Sequence, residues 1–74
     1  MSNFLLELAE IIKSRKNEDT KKSYTSSLLS KGIIECLNKF EEESEEFVEA
    51  IKNNENIIHE SADVIYHFLV TLEA

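Results

Sequence analysis

Residues 36–50 read CLNKFEEESEEFVEA, and the fold follows from the one place where this stretch breaks its own pattern. Cys36, Phe40, Phe47 and Ala50 recur at the three- and four-residue spacing of an apolar helix stripe. That spacing calls for an apolar side chain at position 43, where the chain carries Glu43. At about 100° per residue, Glu46 lies about 60° from Glu43, and Glu42 falls within about 100° of both. Three carboxylates therefore share one arc at the edge of a buried stripe. An ionised carboxylate there needs a cation, a proton or a route to solvent.

Working outward, the same helix is expected to run from about Tyr24 to Lys52, with Ser23 as its N-cap and Gly32 as a weak point within it. Leu29, Ile33 and Ile51 extend its apolar side. Before it, Asn17–Lys22 (NEDTKK) has no periodicity and reads as a polar loop. A first helix is expected from about Asn3 to Arg15, capped by Asn3 or Ser2, with Phe4, Leu5, Leu8, Ile11 and Ile12 on one stripe. After it, Asn53-Asn54-Glu55-Asn56 makes a turn short enough to require an antiparallel neighbour. The third helix is expected from about Ile57 to Leu72. The resulting fold class is all-α: one domain, residues 1–74, built as an antiparallel bundle of three main helices. Phe4, Phe40, Phe47 and Phe68 read as core, as does Cys36.

Composition narrows the function. The chain has 74 residues, no Pro, one Gly and a formal net charge of −7, which disfavours nucleic-acid binding through a basic face. Glu7 and Glu10 interrupt the N-terminal apolar run, so no signal peptide is expected, nor a membrane span, and the chain reads as cytoplasmic. A chain this short buries a modest core, and the single Cys36 forms no internal disulfide, which leaves a metal or a second chain to complete the bundle.

The third helix supplies a companion to Glu43. Opposite its apolar face of Ile57, Ile58, Ala62, Val64, Ile65, Phe68, Leu69 and Leu72, the residues Glu60, Asp63 and His67 lie within an arc of about 60°. Across the short turn, Glu43 and Glu46 can face Glu60 and Asp63. Four hard oxygen donors suit Mg²⁺, with Mn²⁺ the alternative, better than Zn²⁺. Mg²⁺ held this way keeps positions for water and substrate phosphates, the arrangement used in phosphoryl chemistry. The plainer reading of Glu41–Glu46 is a solvated helix face.

Written as a pattern, Glu42-Glu43-x-x-Glu46 followed by Glu60-x-x-Asp63 resembles EExxE…ExxD, the signature of the all-α MazG-like nucleoside triphosphate pyrophosphohydrolase superfamily. Ser23-Tyr24-Thr25, Leu28-Leu29, Gly32, Lys39, Ala50, Lys52 and the run ESADVIYH at 60–67 resemble one branch of it, the phosphoribosyl-ATP pyrophosphohydrolases of histidine biosynthesis. Arg15 matches the basic residue that closes the first helix there. Asn38 stands where that branch often has Lys, and Glu41 where it often has Gly. The branch usually continues past the position of Ala74 with a further short helical stretch, which residues 1–74 are expected to lack.

The resemblance implies Mg²⁺-dependent attack of water at the α–β phosphate linkage of phosphoribosyl-ATP, giving phosphoribosyl-AMP and pyrophosphate. It implies Glu43, Glu46, Glu60 and Asp63 as metal ligands. Glu42 would be a supporting group, a ligand to a second metal or the base that activates water. It also implies a homodimer or higher homo-oligomer. Substrate-binding roles fall to Arg15, Ser23, Tyr24, Thr25, Lys39 and His67, with Lys21, Lys22 and Lys31 as further cations. Each has a structural alternative: capping for Ser23 and Thr25, packing for Tyr24, a surface ion pair for Lys39, a carboxylate bond for His67. His59 reads as a surface residue. Two other functions stay open: a housecleaning (deoxy)nucleoside triphosphate pyrophosphohydrolase, and a non-catalytic helical interaction module.

Overall fold

The computed structural model describes residues 3–74; the N-cap alternative at Ser2 lies outside them. Four helices follow one another, α1 (Phe4–Arg15), α2 (Tyr24–Ser30), α3 (Ile33–Asn53) and α4 (Ile57–Glu73), with no strand among the described residues. The expected second helix is thus two. Gly32 separates them at φ 93° and ψ 173°, backbone that an L side chain rarely adopts, and its carbonyl then accepts from Cys36 N–H to start α3.

The 17–22 loop is held by its own polar groups. Asp19 Oδ1 accepts from Lys21 N–H at 2.9 Å, and Asp19 O accepts from the N–H groups of Lys22 and Ser23. Ser26 Oγ donates to Glu18 O at 2.5 Å, tying the loop to α2. At the other end of α3, Asn54 takes the left-handed conformation at φ 53° and closes the helix through its N–H to Ala50 O and Ile51 O. Asn56 repeats that conformation at φ 54°, and α4 turns back along α3.

One side chain from each helix meets in the core: Ile12, Leu28, Cys36 and Val70, with Leu8, Leu29, Tyr66 and Leu69 packed around them. Cys36 is fully buried and donates to Leu28 O, as its place on the stripe requires. Other residues of the expected core are outside it. Phe4 is 56% exposed and Phe68 48%, while Phe40 and Phe47 are half-buried. The reason lies in α4. Its buried line is His67 and Val70, continuing the line of Glu60 and Asp63, so the polar-looking face turns inward against α2 and α3. Ile58, Ala62, Phe68 and Leu72, from the broad apolar face, stand open.

Because the Gly32 conformation strains any residue with a Cβ, Gly32→Ala is expected to destabilise the chain by about 1–3 kcal/mol. No atom lies within 4 Å of the added Cβ, so the cost is in the backbone alone. Urea denaturation followed by circular dichroism measures it; unchanged stability would mean the break does not depend on this residue.

Candidate functional site

The antiparallel α3–α4 pair brings the acidic turns of both helices together. One carboxylate oxygen from each of Glu43, Glu46 and Glu60 lies within 4.8 Å of the others. Glu60, Asp63 and His59 form a second cluster within the same limit, with Glu60 common to both. Glu60 Oε2 is buried and has no hydrogen-bond partner, a position that an acceptor holds at a cost unless something electropositive reaches it.

Glu43 registers the crowding most strongly. Burial raises its carboxyl, the hydrogen bond with Glu46 and the charges of Glu46 and Asp63 raise it further, and Lys39 opposes them, leaving it at about 7. A proton thus does what a cation could do instead. The donors fit a small hard ion. Two oxygens opposite one another on Mg²⁺ would stand about 4.2 Å apart, and the oxygens of Glu43, Glu46 and Glu60 all lie within 4.8 Å of one another. Glu42 lies one residue back, its Oε2 3.4 Å from Lys39 Nζ, and shares with Glu46 and Glu60 a groove of about 420 Å³.

α2 and the later part of α4 form the neighbouring wall. Ser23 Oγ accepts from Ser26 N–H at 3.1 Å and caps α2. Thr25 is buried, its hydroxyl bonded to that of Tyr66. Tyr24 stacks on Tyr66 with ring centroids 6.2 Å apart and reaches His67 Nε2 at 3.2 Å. Burial raises the Tyr24 hydroxyl, opposed by Lys39 and reinforced by Tyr66, Glu43 and Glu42. Burial pushes the Lys39 ammonium down, but Tyr24, Glu42 and Glu43 outweigh that and raise it.

His67 differs from expectation. Its Nδ1 is 2.8 Å from the backbone carbonyl of Asp63, not from a carboxylate. A carbonyl only accepts, so Nδ1 carries the proton and Nε2 accepts from the Tyr24 hydroxyl. The group beside the Asp63 carboxylate is His59, at 3.4 Å, a surface residue as expected but one with a partner. Its i, i+4 spacing to Asp63 was the available signal. The bond between Tyr66 and Thr25 had no such signal, because the two lie 41 residues apart and no local pattern joins them. Arg15 is paired with Glu18 at 3.2 Å.

Residues 5–74 match the profile of the family described as "Phosphoribosyl-ATP pyrophosphohydrolase". A phosphoribosyl-ATP pyrophosphatase from Ruegeria pomeroyi is 45% identical over 74 residues, covering 97% of this chain and 70% of that protein. One from Vesicomyosocius okutanii has the same identity and coverage. The histidine biosynthesis bifunctional protein HisIE of Prochlorococcus marinus is 47% identical over 75 residues, where this chain spans 33% of the relative's length. No solved structure matches the chain.

The raised Glu43 carboxyl links stability to pH. Its folded value of about 7 exceeds the ordinary 4.5, so the folded state binds the proton more tightly. That contribution is complete below about 4.5 and is lost as pH rises through about 7. In EDTA, the melting temperature is expected to fall between pH 4.5 and 7.5, and Glu43→Gln is expected to flatten the slope. Adding Mg²⁺ at pH 7.5 is expected to restore the lost stability. A wild-type profile as flat as that of the variant would contradict the crowding at Glu43.

Proposed function

The chain belongs to the phosphoribosyl-ATP pyrophosphohydrolase family, and on that premise we propose that it hydrolyses phosphoribosyl-ATP at the α–β phosphate linkage in histidine biosynthesis. The products are phosphoribosyl-AMP and pyrophosphate. The observation that carries the proposal is the buried, unpartnered Oε2 of Glu60, whose carboxylate clusters with those of Glu43 and Glu46. Glu43, Glu46, Glu60 and Asp63 would hold Mg²⁺, with Mn²⁺ a substitute of similar donor preference. When bound, the ion offsets negative charge on the phosphates and polarises the linkage under attack.

The protein's own groups do the rest. Glu42 takes the proton from the attacking water, its carboxylate held by Lys39 at 3.4 Å. Glu43, raised to about 7 by burial and by its acidic neighbours, would release its proton to serve as a ligand at neutral pH. Ser23 and Thr25 lie at the start of α2, where free N–H groups favour phosphate oxygens, and capping does not prevent that contact. Tyr24, 55% exposed, has a ring face open to a base, with His67 fixing its hydroxyl. Arg15, with its exposed guanidinium, contributes a further cation for the outer phosphates.

A second copy of the chain completes the bundle. Among the described residues the buried apolar side chains are few, while Leu6, Ile34, Ile58 and Leu72 are each at least 65% exposed. An apolar groove lined by Leu8, Ile58, Ala62 and Ile65 adds to that surface. Covering it is worth about 25 cal/mol for each Å² removed from water. The enzyme works in the cytoplasm as a homodimer or higher homo-oligomer; no helix among the described residues is long and apolar enough to cross a membrane.

Purified protein with Mg²⁺ is expected to release pyrophosphate from phosphoribosyl-ATP in preference to a panel of nucleoside triphosphates, and EDTA is expected to abolish it. Glu43→Gln and Asp63→Asn are each expected to cost at least about a hundredfold in turnover while retaining the helical circular dichroism spectrum. Release from the other triphosphates alone would move the chain to housecleaning chemistry. Light scattering at micromolar concentration checks the assembly, and a folded monomer would remove the second copy.

A further inference from the structure

On an uninterrupted helix, Tyr24, Ser27 with its neighbour Leu28, Lys31, Glu35 and Lys39 would form one ridge, since each step along it is three or four residues. A ridge is convex and encloses nothing. The break at Gly32 folds α2 against α3, and these same six residues instead line a cleft of about 170 Å³ at the α2–α3 corner. Its lining combines two lysines, a serine, a glutamate, a leucine and a tyrosine.

The cations of the chain are not equally available. Arg15, Lys16, Lys39 and Lys52 each lie within 4.0 Å of a carboxylate. Lys31 makes no ion pair among the described residues, although it borders a cleft that also contains Glu35. Lys39 belongs both to this cleft and to the pair with Glu42, so the cleft adjoins the acidic site along one face of α3. At 1.5 Å per residue, Glu35 stands about 12 Å along the axis from Glu43. A group seated between Lys31 and Glu35 is therefore a different part of the ligand from the phosphates at the carboxylates.

We propose that this cleft binds a sugar phosphate, the end of the substrate remote from the scissile linkage, with Lys31 as the residue that selects it. The phosphate oxygens accept from the Lys31 and Lys39 ammonium groups and the Ser27 hydroxyl, and the Glu35 carboxylate accepts from sugar hydroxyls. Glu35 would repel a bare anion, and the sugar turns that repulsion into a contact. The assignment rests on the reading of the chain as a phosphoribosyl-ATP pyrophosphohydrolase, and it explains how a strongly acidic chain discriminates that substrate from a plain nucleoside triphosphate.

The test uses ribose 5-phosphate as probe, titrated into ¹⁵N-labelled protein without metal. Amide shifts at Ser27, Lys31 and Glu35 are expected, weakened by about tenfold or more in Lys31→Met and largely kept in Lys31→Arg. In turnover, Lys31→Met is expected to raise KM for phosphoribosyl-ATP by a similar factor, while Lys13→Met, on α1 outside the cleft, leaves it unaltered. Equal binding of inorganic phosphate and ribose 5-phosphate would overturn the sugar-phosphate assignment. So would wild-type KM and probe affinity in Lys31→Met, even with full hydrolysis by the wild type. Probe binding in the cleft without hydrolysis of any substrate would uphold the cleft and reject the proposed activity instead.

Discussion

Carboxylates on facing turns of α3 and α4 repel one another, and the geometry around them is organised to keep them together. The asparagine turn at 54–56 fixes the two helices antiparallel, and the half-buried position of Glu43 stops the charges from moving apart into solvent. The consequence is a carboxyl that holds its proton to about pH 7 and a buried glutamate oxygen with nothing to accept from. Folding alone does not satisfy this cluster. A bound cation would.

Much of this was legible because it is periodic and local. Glu43 occupies a stripe position that only an apolar or ligated side chain suits, and Glu60 and Asp63 repeat one turn apart across a turn of known length. What the sequence concealed depends on contacts between distant segments. The apolar face of α4 is the longer one, so it reads as the core face, yet the line through Glu60, Asp63, His67 and Val70 is the one that packs inward. Phe4 and Phe68 follow that inversion outward. Gly32 was visible as a weak point, but the direction of the break was not, because a backbone dihedral at one residue has no periodic signature. The hydroxyl pair Thr25–Tyr66 and the Tyr24–His67 contact were hidden for the same reason of separation.

The polar residues of α2 illustrate how structural and functional demands share a side chain. Ser23 closes the helix, Thr25 anchors it to Tyr66, and Tyr24 is aligned by a histidine whose other nitrogen is occupied by a backbone carbonyl. Each leaves a face or a lone pair unspent. Positioning by fixed partners lowers the conformational entropy that a ligand would otherwise have to remove.

A helix of seven residues has no stability of its own in water, since nucleation consumes more than so few backbone bonds return. α2 is therefore retained by its docking: Leu28 in the core, the Ser26 tie to the loop, and the two hydroxyl contacts to α4. Such a unit opens as a whole, below the free energy at which α3 and α4 separate. Its amides would then exchange with solvent deuterium together and ahead of those in the long hairpin, and the wall beside the carboxylates is the first part of the molecule to come undone.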